Sequence, residues 1–326
     1  MGTDVIMGQP SSISNAAGSS QILLKSNYTI KIPRRISQDV SFISIYRNLS
    51  PLHPDEQVTP QDVKKALDSM RFFGISEVIG HEQTIESEVK AKSKKLKHAS
   101  SWPFPLVDMT ENGMGMELAQ AIGKKPVLIL NGHHKFAAMQ KRGYSIIPAL
   151  VHDYDTEIRI GAWYPVVAEG FTKETALAFG GIPCSFNEGN AMIASKSAYF
   201  MAVNGKGAYV FPAESPETDY IIDMQSRLLS AFSQDNVFYI PDYNCKFELG
   251  NGNTVLLRKP YGPHTVWEEA LKGKLFPPKS TRHEFIRAKI DFPLEWLMLP
   301  LSEANARLQG LLSNVKAHFD ELQISA

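Results

Sequence analysis

The residues best suited to chemistry stand together as Asn131-Gly132-His133-His134-Lys135. They follow an apolar run, Pro126 to Leu130, and precede Phe136-Ala137-Ala138-Met139, so they sit where a buried strand turns into a helix. The first amide groups of such a helix lack intrahelical partners and carry the positive end of its dipole. Glycine lets a ligand approach the backbone, the histidines add donors and the lysine adds a full charge, so anion binding is indicated, with phosphate the natural guest. Adjacent histidines diverge around a helix, unlike an i, i+4 pair, so a two-histidine metal site is not expected. The same residues would also serve a plain polar helix start, with imidazoles satisfying backbone groups.

The flanking sequence supplies elements to hold this turn. Gln21 to Ile32 and Val40 to Arg47 read as strands. Thr59 as N-cap, Pro60 at the first helical position and Asp62 three residues after the cap predict a helix, whose face is Val63, Ala66, Leu67 and Met70 and whose end is Gly74. His81 to Ser101 is polar and crowds Lys90, Lys92, Lys94, Lys95 and Lys97, which suits a solvated helix or loop, or alternatively a phosphate-binding patch. Strands are expected in WPFPLVDM and YSIIPALVHDY, with a short helix or turn in MELAQAIG. Further on, Ile221 to Phe232 looks helical, and NVFYIPDY and NTVLLRKPY look like strands paired across the Gly250–Asn253 turn. A short helix and a proline-stopped loop follow in VWEEALKGKLFPPKSTRH. Leu308, Leu311, Leu312, Val315, Phe319 and Leu322 fall on one face of a last helix, which either docks on its own domain or forms a dimer seam, so monomer and homodimer both remain open.

Bulk properties exclude several classes. The chain has 326 residues, enough for one large domain or two smaller ones, and its 43% hydrophobic and 21% charged content is that of a globular protein. Acidic and basic residues balance at 34 each, so no global field recruits nucleic acid or a membrane surface. No apolar run approaches the ~20 residues that span a bilayer. Residues 1–20 lack a basic end and apolar middle and read as a disordered tail rich in serine, glycine and alanine. Cys184 and Cys245 have no metal-ligand spacing, which fits a reducing compartment, and the cytoplasm is the expected location.

LNGHHKFAAMQKRG followed by a strand resembles the phosphate loop of the ParB/sulfiredoxin-like superfamily, and LHPDEQV with its helix resembles that superfamily's proline-His-Glu segment. Within it the free L-serine kinases are the best match, because ALVHDYDTEIRIGAW, PPKSTRH (Pro277 to His283) and FPLEWL (a closing strand) come in that family's order. The resemblance covers roughly half of the chain and leaves about Tyr164 to Pro263 without counterpart, as an insertion that would shape a substrate pocket. It implies an α/β (α+β) fold, with a nucleotide-binding ParB/sulfiredoxin-like domain at 21–163 and a mixed α/β substrate domain at 164–326.

The activity implied is phosphoryl transfer from ADP or ATP, with Mg2+, to the hydroxyl of free L-serine. The resemblance assigns the catalytic base to Glu56, beside Asp55, and the nucleotide phosphates to Gly132, His133, His134 and Lys135, with lysine where the family carries arginine. Metal binding and a catalytic role fall to Asn131, where the kinases carry aspartate; its amide oxygen offers a lone pair but no negative charge. Serine binding falls to Ser69, Trp163, Lys279, Ser280, Thr281, Arg282 and His283, with Arg282 suited to a carboxylate. Two other classes are carried alongside: a ParB-like, nucleotide-dependent DNA-binding protein, disfavoured because no helix-turn-helix follows the loop, and a catalytically weak regulator that binds a metabolite, which Asn131 keeps open. Sulfiredoxin-type thiol chemistry fails because position 133 is histidine, not cysteine.

Overall fold

The computed structural model describes residues 27–47, 57–114, 118, 120–121, 123, 126–215, 218–242, 248–249, 251–277 and 279–324. The chain is mixed α/β, with four sheets among the described residues. Half of MELAQAIG, and the 1–20 tail, lie outside them.

A five-stranded sheet holds the phosphate-loop candidate. Its order is β3 (Met70–Gly74), β7 (Ile146–His152), β5 (Val107–Thr110), β6 (Val127–Asn131) and β4 (Val78–Ile79). β6 is apolar from Val127 to Leu130 because both of its faces are covered there. Val127 and Ile129 enter the main core, while Leu128 and Leu130 pack with Tyr154, Trp267 and Phe285 on the other side. From β6 the chain passes through Gly132 into α3 (His133–Lys141).

α1 (Pro60–Asp68) begins as its sequence requires, with the Thr59 hydroxyl accepting from the Asp62 amide at 3.1 Å and the Asp62 carboxylate accepting from the Thr59 amide at 2.8 Å. It ends earlier than its periodicity suggests. Met70 opens β3 instead of closing the helix, and Gly74 ends the strand, because Phe72 and Phe73 gain buried places beside β7. The lysine-rich stretch is α2 (Glu86–His98).

The C-terminal segment returns to the N-terminal one. β16 (Ile286–Ile290) pairs with β2 (Phe42–Arg47), which also pairs with β1 (Asn27–Lys31). α8 (Leu301–Ile324) buries Leu308, Leu311, Leu312, Val315 and Phe319 in the same core as residues 28–150. Its Asn305 donates to the Phe72 carbonyl at 3.0 Å and accepts from the Phe72 amide at 2.8 Å, which covers the otherwise open edge of β3. The apolar face of this helix is thus used within its own chain, and packing does not follow a division at residue 163. FPLEWL, expected as a strand, is instead a 3-10 turn at Leu294–Met298 that follows Pro293.

The stretch without counterpart builds its own antiparallel six-stranded sheet, ordered β10 (Ile182–Cys184), β12 (Gly207–Pro212), β11 (Ala198–Asn204), β14 (Thr254–Leu257), β9 (Trp163–Val167) and β13 (Val237–Pro241). The expected hairpin between β13 and β14 is not formed, since both strands pair with β9, which lies between them. α5 (Phe186–Ala194), α6 (Thr218–Leu229) and α7 (Pro263–Leu271) complete this part, with α4 (Lys173–Ala178) before them. β8 (Arg159–Gly161) and β15 (Arg282–Glu284) form a two-stranded ribbon that carries the late basic block back toward β6.

Candidate functional site

The end of β6, the start of α3 and the loop entering β15 enclose a cavity of about 430 Å3, within the ~300–1,000 Å3 usual for small-molecule sites. Asn131, Gly132, His133, His134 and Lys135 line one side. Trp163, Lys279, Thr281, Arg282 and His283 line the other. Two sequence blocks that are far apart along the chain are therefore neighbours in space.

Gly132 has φ +117°, and a Cβ there would lie 2.8 Å from Lys135 Cε, so the lysine stem folded beneath the loop demands glycine. Lys135 is buried, and its ammonium donates to the carbonyls of Pro105 at 2.9 Å and Leu106 at 2.7 Å. Burial, reinforced by the Arg287 guanidinium, lowers its pKa to about 7. The expectation of a lysine aimed at a phosphate is corrected to one held by the chain's own carbonyls.

The two loop histidines follow the alternative of a polar helix start, since they act as neutral acceptors of backbone amides. His133 Nε2 accepts from the His81 amide at 3.2 Å, and His134 Nε2 accepts from the Ile85 amide at 3.0 Å. Burial, followed by the neighbouring His134 and His283, pushes His133 down to about 3. Each ring ties the segment between β4 and α2 to the start of α3 instead of adding charge. His283 is neutral as well. Its ring bonds the Leu130 carbonyl, its Nε2 lies 2.6 Å from the Tyr154 hydroxyl, and burial lowers its pKa to about 4.

Positive charge comes from other residues. Lys92 on α2, Lys279, Arg282 and Arg287 line the cavity, opposed by Glu82 and Glu88. Cations on several sides of one cavity suit a phosphorylated guest. Lys279 sits in the left-handed region at φ +64° and holds its ammonium 4.9 Å from the Trp163 ring centroid, a cation–π contact. Lys92 pairs with Glu88 at 2.7 Å, and Arg287 Nε donates to the fully buried Asp108 at 3.1 Å. Arg282, expected to hold a substrate carboxylate, already donates to Asp242 at 2.6 Å and to Glu284.

A buried relay underlies the Thr281 side. The Thr281 hydroxyl lies 2.7 Å from His81 Nε2 and 2.6 Å from Glu82 Oε1, and its amide donates to the same carboxyl oxygen at 2.7 Å. His81 Nδ1 must be the donor to the Ile129 carbonyl at 2.8 Å, so a neutral His81 presents Nε2 as an acceptor. One hydroxyl hydrogen cannot serve two acceptors. The relay therefore needs one further proton, and burial favours the neutral form of both flanking groups, raising the Glu82 pKa against the opposing bonds from Thr281 and driving His81 well below its ordinary value.

Not every predicted residue meets here. Ser69 lines a different cavity of about 330 Å3, with His152, Glu157 and Arg47, because α1 ends on the far side of β7 from the loop. Ser280 is buried behind the cavity wall, with its carbonyl accepting from Arg258. Glu56 lies outside the described residues. Sequence reasoning missed His81, Glu82 and Arg287. The signal for the first two was Val78-Ile79-Gly80, a short apolar strand directly ahead of a stretch otherwise read as solvated. Of the lysine run only Lys92 reaches the cavity; Lys90 pairs with Glu86 at 3.8 Å and Lys95 lies over Phe104.

No family model matches the chain. Its relatives include L-serine kinases and a ParB-like protein. The ADP-dependent L-serine kinase of Thermococcus kodakarensis is 23% identical over 254 residues, 74% of this chain and 98% of that protein. The ATP-dependent L-serine kinase of Staphylothermus marinus is 24% identical over 242 residues, 69% of this chain and 90% of the kinase. A ParB-like protein of Sulfolobus acidocaldarius is 24% identical over 54% of this chain and 78% of its own. Among solved structures, a glutamate-to-alanine variant of a free serine kinase in complex with ADP superimposes with TM-score 0.54 at 20% identity, covering 70% of this chain and 94% of the other. The chain is a distant homologue of free L-serine kinases and shares their fold over about 70% of its length.

Proposed function

We propose that this protein is a small-molecule kinase that transfers a phosphoryl group from ADP or ATP to the hydroxyl of free L-serine, giving O-phosphoserine. The observation that carries this reading is the convergence of the Asn131–Lys135 loop with Trp163, Lys279 and Thr281 on one cavity whose wall also carries Lys92, Arg282 and Arg287. Phosphoryl transfer needs little covalent help from protein; it needs positioning and cations on the phosphates. Phosphates would lie against the first amides of α3, with Lys92, Lys279 and Arg287 around them. Glu82 holds Thr281 by its amide and hydroxyl and so fixes the opposite wall. Glu56 stands as the proposed base on its position alone. In this reading the 21–163 segment carries the nucleotide loop, and the later segment supplies the serine side.

Magnesium fits in a limited way. Among the described residues no group of three or more His, Cys, Asp or Glu could cage an ion. The cavity offers Glu82, Glu88 and the Asn131 amide oxygen, a donor set for Mg2+ that takes most of its other ligands from nucleotide and water. When bound, the ion would neutralise charge on the transferred group.

The test is to incubate the full chain with L-serine, Mg2+ and either ADP or ATP and assay phosphoserine by mass spectrometry. Phosphoserine with at least one donor, lost in Lys279→Ala, is the expected result. No phosphoserine with either donor would remove the proposal.

A further inference from the structure

A second cavity, of about 320 Å3, lies between the six-stranded sheet and the start of α7 and shares no lining residue with the first. Its polar character is one-sided. Lys196, Arg258 and Lys259 line it, and no aspartate or glutamate does. Among the described residues no carboxylate pairs with any of these three cations.

Arg258 carries the strongest demand, being only 4% exposed. Its guanidinium donates to the carbonyls of Lys259 and Ser280 and lies 4.3 Å from the Tyr261 ring centroid, so among the described residues it has neutral partners and no counterion. A buried charge without its opposite is strongly unfavourable, and an anion in the adjoining cavity would relieve it. Gly262 caps α7 without a side-chain hydrogen bond, and Pro263 follows at the first helical position. The uncapped first turn, with Gly262 and Thr265 on the cavity wall, adds dipole of the same sign. Lys196 adopts φ +62°, a left-handed conformation that non-glycine residues hold only where surrounding structure imposes it.

The rest of the wall is apolar or aromatic. Ile193, Ala198, Ala213 and Ile221 provide a hydrophobic floor, and Tyr199 and Tyr261 add ring surface. The Tyr199 hydroxyl accepts from the amides of Glu214 and Ser215, so the capacity left to it is as a donor.

We propose that this cavity binds a small organic anion, a phosphate or carboxylate joined to a flat apolar body, at a site separate from the nucleotide cavity. The anionic group meets Arg258, Lys259 and the α7 terminus, and the body lies on Tyr261 and the aliphatic floor. Arg258 also grips the Ser280 carbonyl, between Lys279 and Thr281 of the first cavity, so the two sites share a loop.

The test uses phenyl phosphate and benzoate as probes, titrated calorimetrically into the full chain with and without saturating ADP. Saturable one-to-one binding of at least one probe is expected, undisturbed by ADP, and the better probe identifies the anionic group preferred. Lys196→Ala with Lys259→Ala should weaken it by about tenfold or more, whereas Lys92→Ala with Lys279→Ala should leave it unchanged. Both lysines of the first pair are exposed, so that variant folds normally, which near-UV circular dichroism checks. Absence of saturable binding by both probes, an unchanged affinity in the first variant, displacement by ADP, or loss in the second variant would each overturn the proposal. Because the readout is binding, it stands or falls independently of serine phosphorylation.

Discussion

Lys135 makes a prediction that can be worked from its surroundings. Its folded pKa is about 7 against an ordinary 10.5, chiefly because burial disfavours the ammonium. At about 1.4 kcal/mol per pH unit, that gap is about 5 kcal/mol of destabilisation when the lysine is charged in both states. Between pH 7 and 10.5 the unfolded chain keeps this proton while the folded chain has lost it, so the unfolded state binds more protons and stability from this group rises with pH. Below pH 7 the penalty is fully present. Lys135→Met keeps an unbranched stem beneath Gly132 and removes the titration. Urea unfolding of wild type and variant at pH 7, 8 and 9 should give curves that diverge, with wild type gaining on the variant by up to about 1.4 kcal/mol per pH unit. Other titrating groups cancel in the difference. Parallel curves across this range would show that Lys135 is not buried as a strained cation, and the account of the loop would fail with it.

Three further substitutions probe the same region. Gly132→Ala should lower stability by about 1–3 kcal/mol in thermal unfolding, since its φ is +117° and its Cβ would press on a lysine stem pinned at its far end; an unaltered Tm would contradict the contact. Thr281→Val leaves both His81 Nε2 and Glu82 Oε1 without the hydroxyl, costing about 1–3 kcal/mol and reducing turnover, whereas Thr281→Ser should retain both; equal stability of the valine and serine forms would remove the relay. Asn131→Asp should raise Mg2+-dependent phosphorylation while lowering stability by up to about 1 kcal/mol, because residue 131 is the cross-strand partner of the buried Asp108. No change in rate, metal dependence or stability would show that the position is indifferent.

Much of the fold was legible because local signals and tertiary packing agreed. The capping box of α1 and the apolar run of β6 each required one solution, while the single apolar face of α8 required a helix but left its partner open. Where the reading failed, a tertiary partner overrode a local pattern. Met70 fits a helix face in sequence but gains more beside β7, and β13 and β14 look like a hairpin until β9, from before both, takes the place between them. The site shows the same division. Residue types at the loop and in the late block were legible, and they do share a cavity. The partners of each side chain were not, because Pro105, Leu106 and Asp242 are distant in sequence from the cations they hold.

That difference bears on the loop's chemistry. A run of two histidines and a lysine suggests a concentrated positive charge, yet burial leaves His133 neutral and brings Lys135 close to neutrality near pH 7. What the trio supplies is shape: two imidazole acceptors and a lysine stem hold the segment before α2, the strand end and the helix start in one arrangement. The charge comes from Lys92, Lys279 and Arg287 on separate elements. A site assembled this way keeps its amides preorganised without concentrating repulsive cations on one turn, and it ties anion binding to the correct docking of α2, β16 and the loop before β15.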